Sequence, residues 1–154
     1  MFNAYSMKRR SLLGFGVATT LSIPVSPMRA TAAPARMQSA INELFGDRAI
    51  KEQGVSLKLP PIAENGYSVP ITVTVDSPMT EDNHITRIAI FSPRNPLSLI
   101  SQYHLSPLSG KAEVASRIRL AGTQTITAVA ETSDGRLLSG SVETVVTLAA
   151  CVVL

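Results

Sequence analysis

The constraint that most limits how this chain can fold is a set of period-two runs cut apart by proline and glycine. In the clearest of them Val69, Ile71, Val73 and Val75 fall on one side while Pro70, Thr72, Thr74 and Asp76 fall on the other. That is the pattern of a strand with one buried face. Similar runs cover residues 55–59, 85–91, 99–105, 114–120, 123–131 and 137–148. Their separators are turn formers: Pro60-Pro61, Glu64-Asn65-Gly66, Ser77-Pro78, Ser92-Pro93-Arg94-Asn95-Pro96 and residues 107–110. Ser133-Asp134-Gly135-Arg136 is a hairpin signal joining the last two runs. About seven short strands so spaced predict an all-β, immunoglobulin-like sandwich. Pro70, which cannot donate to a ladder, predicts an edge or strand-start position. The one helical period is in residues 35–45, where Met37, Ile41, Leu44 and Phe45 share a face that would pack on the domain, with Gly46 as the stop.

Residues 1–32 read as a targeting segment. Arg9-Arg10 stands before an apolar run, from Leu12 to Val25, that is broken by Gly14, Gly16 and Pro24. A bilayer-spanning helix needs about 20 apolar residues, so this run is a signal core and no stable membrane insertion is expected. Ala30-Thr31-Ala32 offers small residues for cleavage, and the paired arginines predict export by the twin-arginine route to the periplasm. Two arginines in an ordinary basic leader are the alternative. The chain has 14 Lys+Arg and 11 Asp+Glu, but Lys8, Arg9, Arg10 and Arg29 all precede the cleavage site and no acid does. The mature chain is left with ten bases, 11 acids and a net charge of −1, which gives no electrostatic case for nucleic acid. Residues 33–148 then form one domain and residues 149–154 a tail.

Little in that domain resembles a catalyst. The two histidines, His84 and His104, lie far apart in sequence, and neither has metal-ligand spacing to a partner. His104 reads as a half-buried strand residue, and nothing makes Asp82 and His84 a catalytic pair. There is no phosphate loop and no nucleophile elbow. No cofactor is implied.

One thiol remains. Cys151 is the sole cysteine and stands three residues from the carboxyl end. Cysteine packs readily as a small hydrophobe, so it fits a final buried strand. An odd cysteine in an exported chain also fits a reactive group or an intermolecular disulfide. Position alone leaves these readings open.

The residues themselves narrow the choice. Leu59-Pro60-Pro61-Ile62-Ala63-Glu64-Asn65-Gly66, Val75-Asp76-Ser77-Pro78-Met79-Thr80 and Gly110-Lys111-Ala112-Glu113-Val114 resemble the SoxY family, as do Arg117-Ile118-Arg119-Leu120-Ala121 and Ser133-Asp134-Gly135. The resemblance spans nearly the whole mature chain, in order. It implies the sulfur-carrier subunit of the thiosulfate-oxidising Sox system, without catalysis of its own and paired as a heterodimer with a SoxZ-like β-domain subunit. It further implies a haem-containing enzyme that conjugates thiosulfate to a C-terminal cysteine, and a hydrolase that releases sulfate to leave a persulfide. By position Cys151 matches that cysteine. The family's tail reads Gly-Gly-Cys-Gly-Gly, whereas here Ala149-Ala150 precede the cysteine and Val152-Val153-Leu154 follow it. Glycine gives an arm freedom that alanine and β-branched valine withhold. A relative that keeps the partner interface but carries nothing is therefore the alternative.

Overall fold

The computed structural model describes residues 32–150; residues 1–31 of the predicted signal segment, and Cys151 with the three residues after it, lie outside them. Among the described residues nine strands form two sheets. The strands are β1 (Ile50–Glu52), β2 (Val55–Lys58), β3 (Ile62–Asn65), β4 (Val69–Val75), β5 (Ile85–Phe91), β6 (Leu99–His104), β7 (Glu113–Ile118), β8 (Gln124–Thr132) and β9 (Leu137–Leu148). The larger sheet runs β1-β9-β8-β5-β6 with β3 also paired to β9, and the smaller runs β2-β4-β7. The architecture is the immunoglobulin-like sandwich that the alternation predicts. Among the described residues one α-helix, α1 (Ala32–Phe45), lies outside the larger sheet, and Gly46 stops it by donating to the Asn42 carbonyl.

Hydrophobic pattern explains this layering. On β4 the alternation is realised residue by residue, with Val69, Ile71, Val73 and Val75 buried against Ile85, Ile88, Ile90 and Ile126 of the facing sheet. From Ile88 to Phe91, β5 has no polar face because it is covered twice. Ile88 and Ile90 point into the sandwich, while Ala89 and Phe91 point out to meet Ile41 and Phe45 of α1. A strand buried on both sides reads as a continuous apolar run.

Two strands beyond the predicted seven are present. β1 and β3 both pair in parallel with β9, β1 through Ile50↔Leu137 and β3 through Ile62↔Val145. The β8–β9 ladder stops at Gln124↔Thr144, and β3 takes over beyond it. Because β3 includes Glu64 and Asn65, the expected turn moves to Gly66-Tyr67, where the Asn65 side chain accepts the Tyr67 N–H at 2.8 Å. Pro70 is the second residue of a central strand, not of an edge strand. It is tolerated because β2 reaches only Lys58↔Thr72, which leaves Pro70 paired to β7 alone.

Candidate functional site at the carboxyl end of the last strand

The long strand β9 carries the chain from the Asp134-Gly135 hairpin to the opposite end of the sandwich. There a ring of backbone hydrogen bonds receives it. The Gly66 N–H donates to the Leu148 carbonyl at 2.8 Å, the Leu120 N–H to Gly66 at 2.9 Å, and the Ala150 N–H to Leu120 at 3.0 Å. Gly66 must be glycine for this ring to close. A β-carbon on it would sit 2.5 Å from the Leu120 oxygen and 3.1 Å from the Ala150 nitrogen. Thr147 Oγ1 donates to the Glu64 carbonyl at 2.7 Å and the Val146 N–H donates to Thr123 Oγ1 at 3.0 Å, so the last turns of backbone are tied on both sides. The peptide is therefore fixed up to Ala150, and Cys151 is the next residue.

A buried polar network supports the Leu120 side of the ring. Ser92, Asn95 and Gln124 are all buried in an otherwise apolar region. The Ser92 hydroxyl donates to Gln124 Oε1 at 2.6 Å, and the Asn95 N–H donates to Ser92 Oγ at 3.1 Å. Asn95 Nδ2 donates to the Arg119 carbonyl at 2.8 Å, while Asn95 Oδ1 accepts the Ala121 N–H at 3.0 Å. Burying such groups costs roughly 1–3 kcal/mol each when unpaired, so their mutual pairing fixes one arrangement. It locks the loop after β5 to the segment that holds Ala150. Sequence reading missed this cluster: Ser92-Pro93-Arg94-Asn95-Pro96 has the composition of a plain turn, and Gln124 that of a strand end.

The same loop places Arg94. Its N–H donates to Gln124 Oε1 at 3.1 Å and its Nη1 to the Thr123 carbonyl at 3.0 Å. The guanidinium then lies over Gly122, whose β-carbon position is 3.6 Å from the guanidinium carbon. Gly122 has φ +143°, a conformation that L side chains rarely adopt, so the cover is built for glycine.

Beside the end of β9 is an exposed apolar strip. Ile62, 61% exposed, is opposite Val145, and Leu148 is 56% exposed opposite Asn65.

The other candidate residues fall elsewhere. His104 ends β6 and is exposed rather than half-buried, with its Nε2 2.7 Å from Gln102 Nε2. His84 Nδ1 is 3.1 Å from the Thr80 carbonyl, and Asp82 meets Ser133 through its backbone oxygen. Neither forms an acid–base pair with the other. Among the described residues no group of three or more His, Cys, Asp or Glu is arranged to hold a metal ion. None of their helices is long and apolar enough to cross a membrane.

Among the described residues two ionisable groups have shifted affinity, both near the start of β9. Burial opposes ionisation of Glu131, but hydrogen bonds and charge from Arg87 and Arg48 outweigh it and hold the carboxyl below its usual range. Asp134 is lowered by its hydrogen bonds from Thr132 and Arg136 at the hairpin.

The class is a two-sheet β-sandwich domain whose last strand is tied through Ala150, the residue before the only cysteine of the sequence. Comparison with known proteins makes the class specific. The profile of the sulfur oxidation protein SoxY matches residues 41–151 and so extends through Cys151. The solved sulfur carrier protein SoxY from Chlorobium limicola f thiosulfatophilum is 33% identical with a TM-score of 0.63, covering 75% of this chain and 99% of its own. This chain belongs to the SoxY family. It is thereby a sulfur-carrier subunit and not a catalyst.

Fold likeness extends further. A putative superoxide reductase from Thermotoga maritima is 20% identical with a TM-score of 0.53, covering 64% of this chain and 93% of its own. A superoxide reductase (neelaredoxin) from Ignicoccus hospitalis is 17% identical with a TM-score of 0.54, covering 73% of this chain and 92% of its own. These two show a shared fold alone. No curated protein sequence matches the chain.

Proposed function

We propose that this protein carries thiosulfate-derived sulfur on the thiol of Cys151 in the periplasm, after export by the twin-arginine route. The observation that carries the reading is that the family match runs through Cys151, the residue that directly follows the tied Ala150. The carrier's chemistry is that of a thiolate. Cys–S⁻ and thiosulfate dianion join through a new S–S bond to give Cys–S–S–SO3⁻, releasing two electrons to a haem-containing conjugating enzyme. Water then attacks the terminal sulfur at a hydrolase. Sulfate leaves with that oxygen, two protons are released, and the persulfide Cys–S–S⁻ remains. The carrier supplies a tether that raises the local concentration of each intermediate at the docked enzyme. A SoxZ-like β-domain subunit completes the heterodimer, and the exposed Ile62, Val145 and Leu148 strip gives apolar area beside the tail for protein contacts.

One observation favours a second reading, a structural subunit that keeps its partner and carries nothing. Ala149-Ala150 replace the family's glycines, and Ala150 is tied to Leu120. Mass spectrometry of the C-terminal peptide, after the mature protein meets thiosulfate and the partner enzymes, separates the two. Carriage requires a thiosulfate-derived adduct on Cys151. A thiol that alkylates in the native protein yet never acquires the adduct rules carriage out in favour of the structural role.

A further inference from the structure

Residues 146–150 run antiparallel past residues 123–120, from the Val146 N–H on Thr123 Oγ1 to the Ala150 N–H on the Leu120 carbonyl. A side chain holds the Leu120 end of that contact. Asn95 Nδ2 donates to the Arg119 carbonyl at 2.8 Å, and Asn95 Oδ1 accepts the Ala121 N–H at 3.0 Å. One amide thus takes the backbone groups on both sides of Leu120. The N–H and carbonyl of Leu120 itself go to Gly66 and Ala150. Extended backbone divides its groups in this way, alternate residues turning theirs to opposite sides. Asn95 stands where a neighbouring strand would stand.

We infer that Asn95 is the positioning residue of the carrier tail, acting through Leu120 to fix the point at which the chain leaves the sandwich. The inference rests on the carrier reading and adds a residue to it. Asparagine suits the place because its short planar amide holds a donor and an acceptor side by side. Aspartate has the same shape but, when ionised, no donor for the Arg119 carbonyl. The amide is held one way round, since Oδ1 also accepts Gln124 Nε2 at 3.3 Å. Gln124 Oε1 is in turn taken by the Ser92 hydroxyl and the Arg94 N–H. The Asn95 N–H closes the network on Ser92 Oγ, and the residue is only 7% exposed. Loss of that side chain would unpair two backbone groups beside Leu120 and free the segment that receives Ala150. The core built by Val73, Ile88 and Ala128 does not include Asn95, so tail and body should respond differently.

Hydrogen exchange followed by NMR on the mature protein tests this without sulfur chemistry, so it fails or succeeds apart from carriage itself. In the parent, the Asn95 Nδ2 protons should be protected along with the Leu120 amide, because one local opening exposes both. An Asn95 side chain that exchanges at the free rate overturns the inference, whichever variants fold. In Asn95→Ala the Leu120 and Ala150 amides should lose at least about tenfold more protection than the amides of β4, the effect of leaving buried groups unpaired. Asn95→Asp, which keeps the acceptor for Ala121 and gives up the donor to Arg119, should show the same preference. Phe45→Ala, which weakens the core away from this loop, should lower protection without it. Equal losses at Ala150 and in β4 of Asn95→Ala would make Asn95 merely structural and overturn the inference. The same preference in Phe45→Ala does so too, since the tail would then be only the weakest part of the fold. Loading of thiosulfate by the partner enzymes, followed by mass, should fall with the protection of Ala150, because the enzymes then meet a tail without a fixed exit. Undiminished loading once the ring has opened overturns the positioning role. Should exchange behave as expected while the parent itself acquires no adduct, carriage falls and the Asn95 anchor stands.

Discussion

Glu131 shows how a single side chain can join the helix layer to the sheet. It receives Arg87 Nη2 at 2.5 Å and Arg48 Nη1 at 2.7 Å, with its own side chain only 14% exposed. Arg87 also lies 4.9 Å over the ring of Phe45, and Arg48 donates to the Phe45 carbonyl, so both cations bind the end of α1 while serving one carboxylate. The folded state holds the Glu131 carboxyl below its ordinary value of 4.5. A carboxyl depressed by folding contributes its full stabilisation above the unfolded pKa, and that contribution is lost as pH falls through the folded pKa. The denaturant midpoint should therefore decline as pH drops below about 5, and Glu131→Gln should remove this part of the slope. At neutral pH the same substitution should cost about 1–3 kcal/mol, since two charge-assisted partners lose their anion. Chemical denaturation at neutral and acid pH checks both signs. Nothing in Thr127-Ala128-Val129-Ala130-Glu131 marks that acid as half-buried, because its partners come from 44 and 83 positions upstream. The Ser92, Asn95 and Gln124 cluster escapes sequence reading for the same reason: its members are ordinary turn and strand-end residues until the fold brings them together.

Among the elements, legibility follows how much of a strand's pattern is its own. β4 and β9 coincide with the alternating runs at 69–75 and 137–148, since each carries enough apolar residues to bury a face by itself. β1 and β3 have three and four residues, and in β3 only Ala63 is buried. They are strands because β9 offers them a parallel edge, and that is a property of β9. The tail anchor is a further step removed, being made of backbone groups and visible in sequence only as the glycine of Glu64-Asn65-Gly66. Gly66→Ala tests it. The new β-carbon would meet the Leu120 carbonyl and the Ala150 nitrogen, both backbone atoms that cannot rotate away. Overpacking of this kind costs typically 1–3 kcal/mol, so a stability loss of about that size is expected. The Ala150 amide should also exchange with deuterium faster than in the parent, by more than the amides of β4 do. Equal exchange at Ala150 in the two proteins would show that the Leu120 contact does not hold the tail.

At the scale of the whole molecule, the layers divide the work between the two ends of β9. Phe45 packs edge-on to Phe91 at 6.4 Å, and Arg48, bonded to the Phe45 carbonyl, reaches the Gly135 carbonyl at the hairpin. The last turn of the helix therefore lies at the end where β9 begins, while Cys151 follows where β9 ends. Twelve strand residues separate the two, about 40 Å of extended chain. Stability and presentation should then come apart under mutation. Phe45→Ala removes a buried ring and the surface over which Arg87 sits, a change that typically costs about 3–5 kcal/mol. A domain of this size is stable by roughly 5–15 kcal/mol in total, so the variant should still fold at room temperature. Its melting temperature should fall by on the order of 10 °C. The alkylation rate of Cys151, measured well below that lowered transition, should match the parent because Phe45 makes none of the hydrogen bonds of the Gly66 ring or of the Arg94 loop. A scanning calorimeter and an alkylation time course, run on the same preparation, give the two numbers. A changed thiol rate in a still-folded Phe45→Ala protein would mean that α1 and the tail are coupled through the sheet, and that the helix layer regulates presentation as well as closing the core.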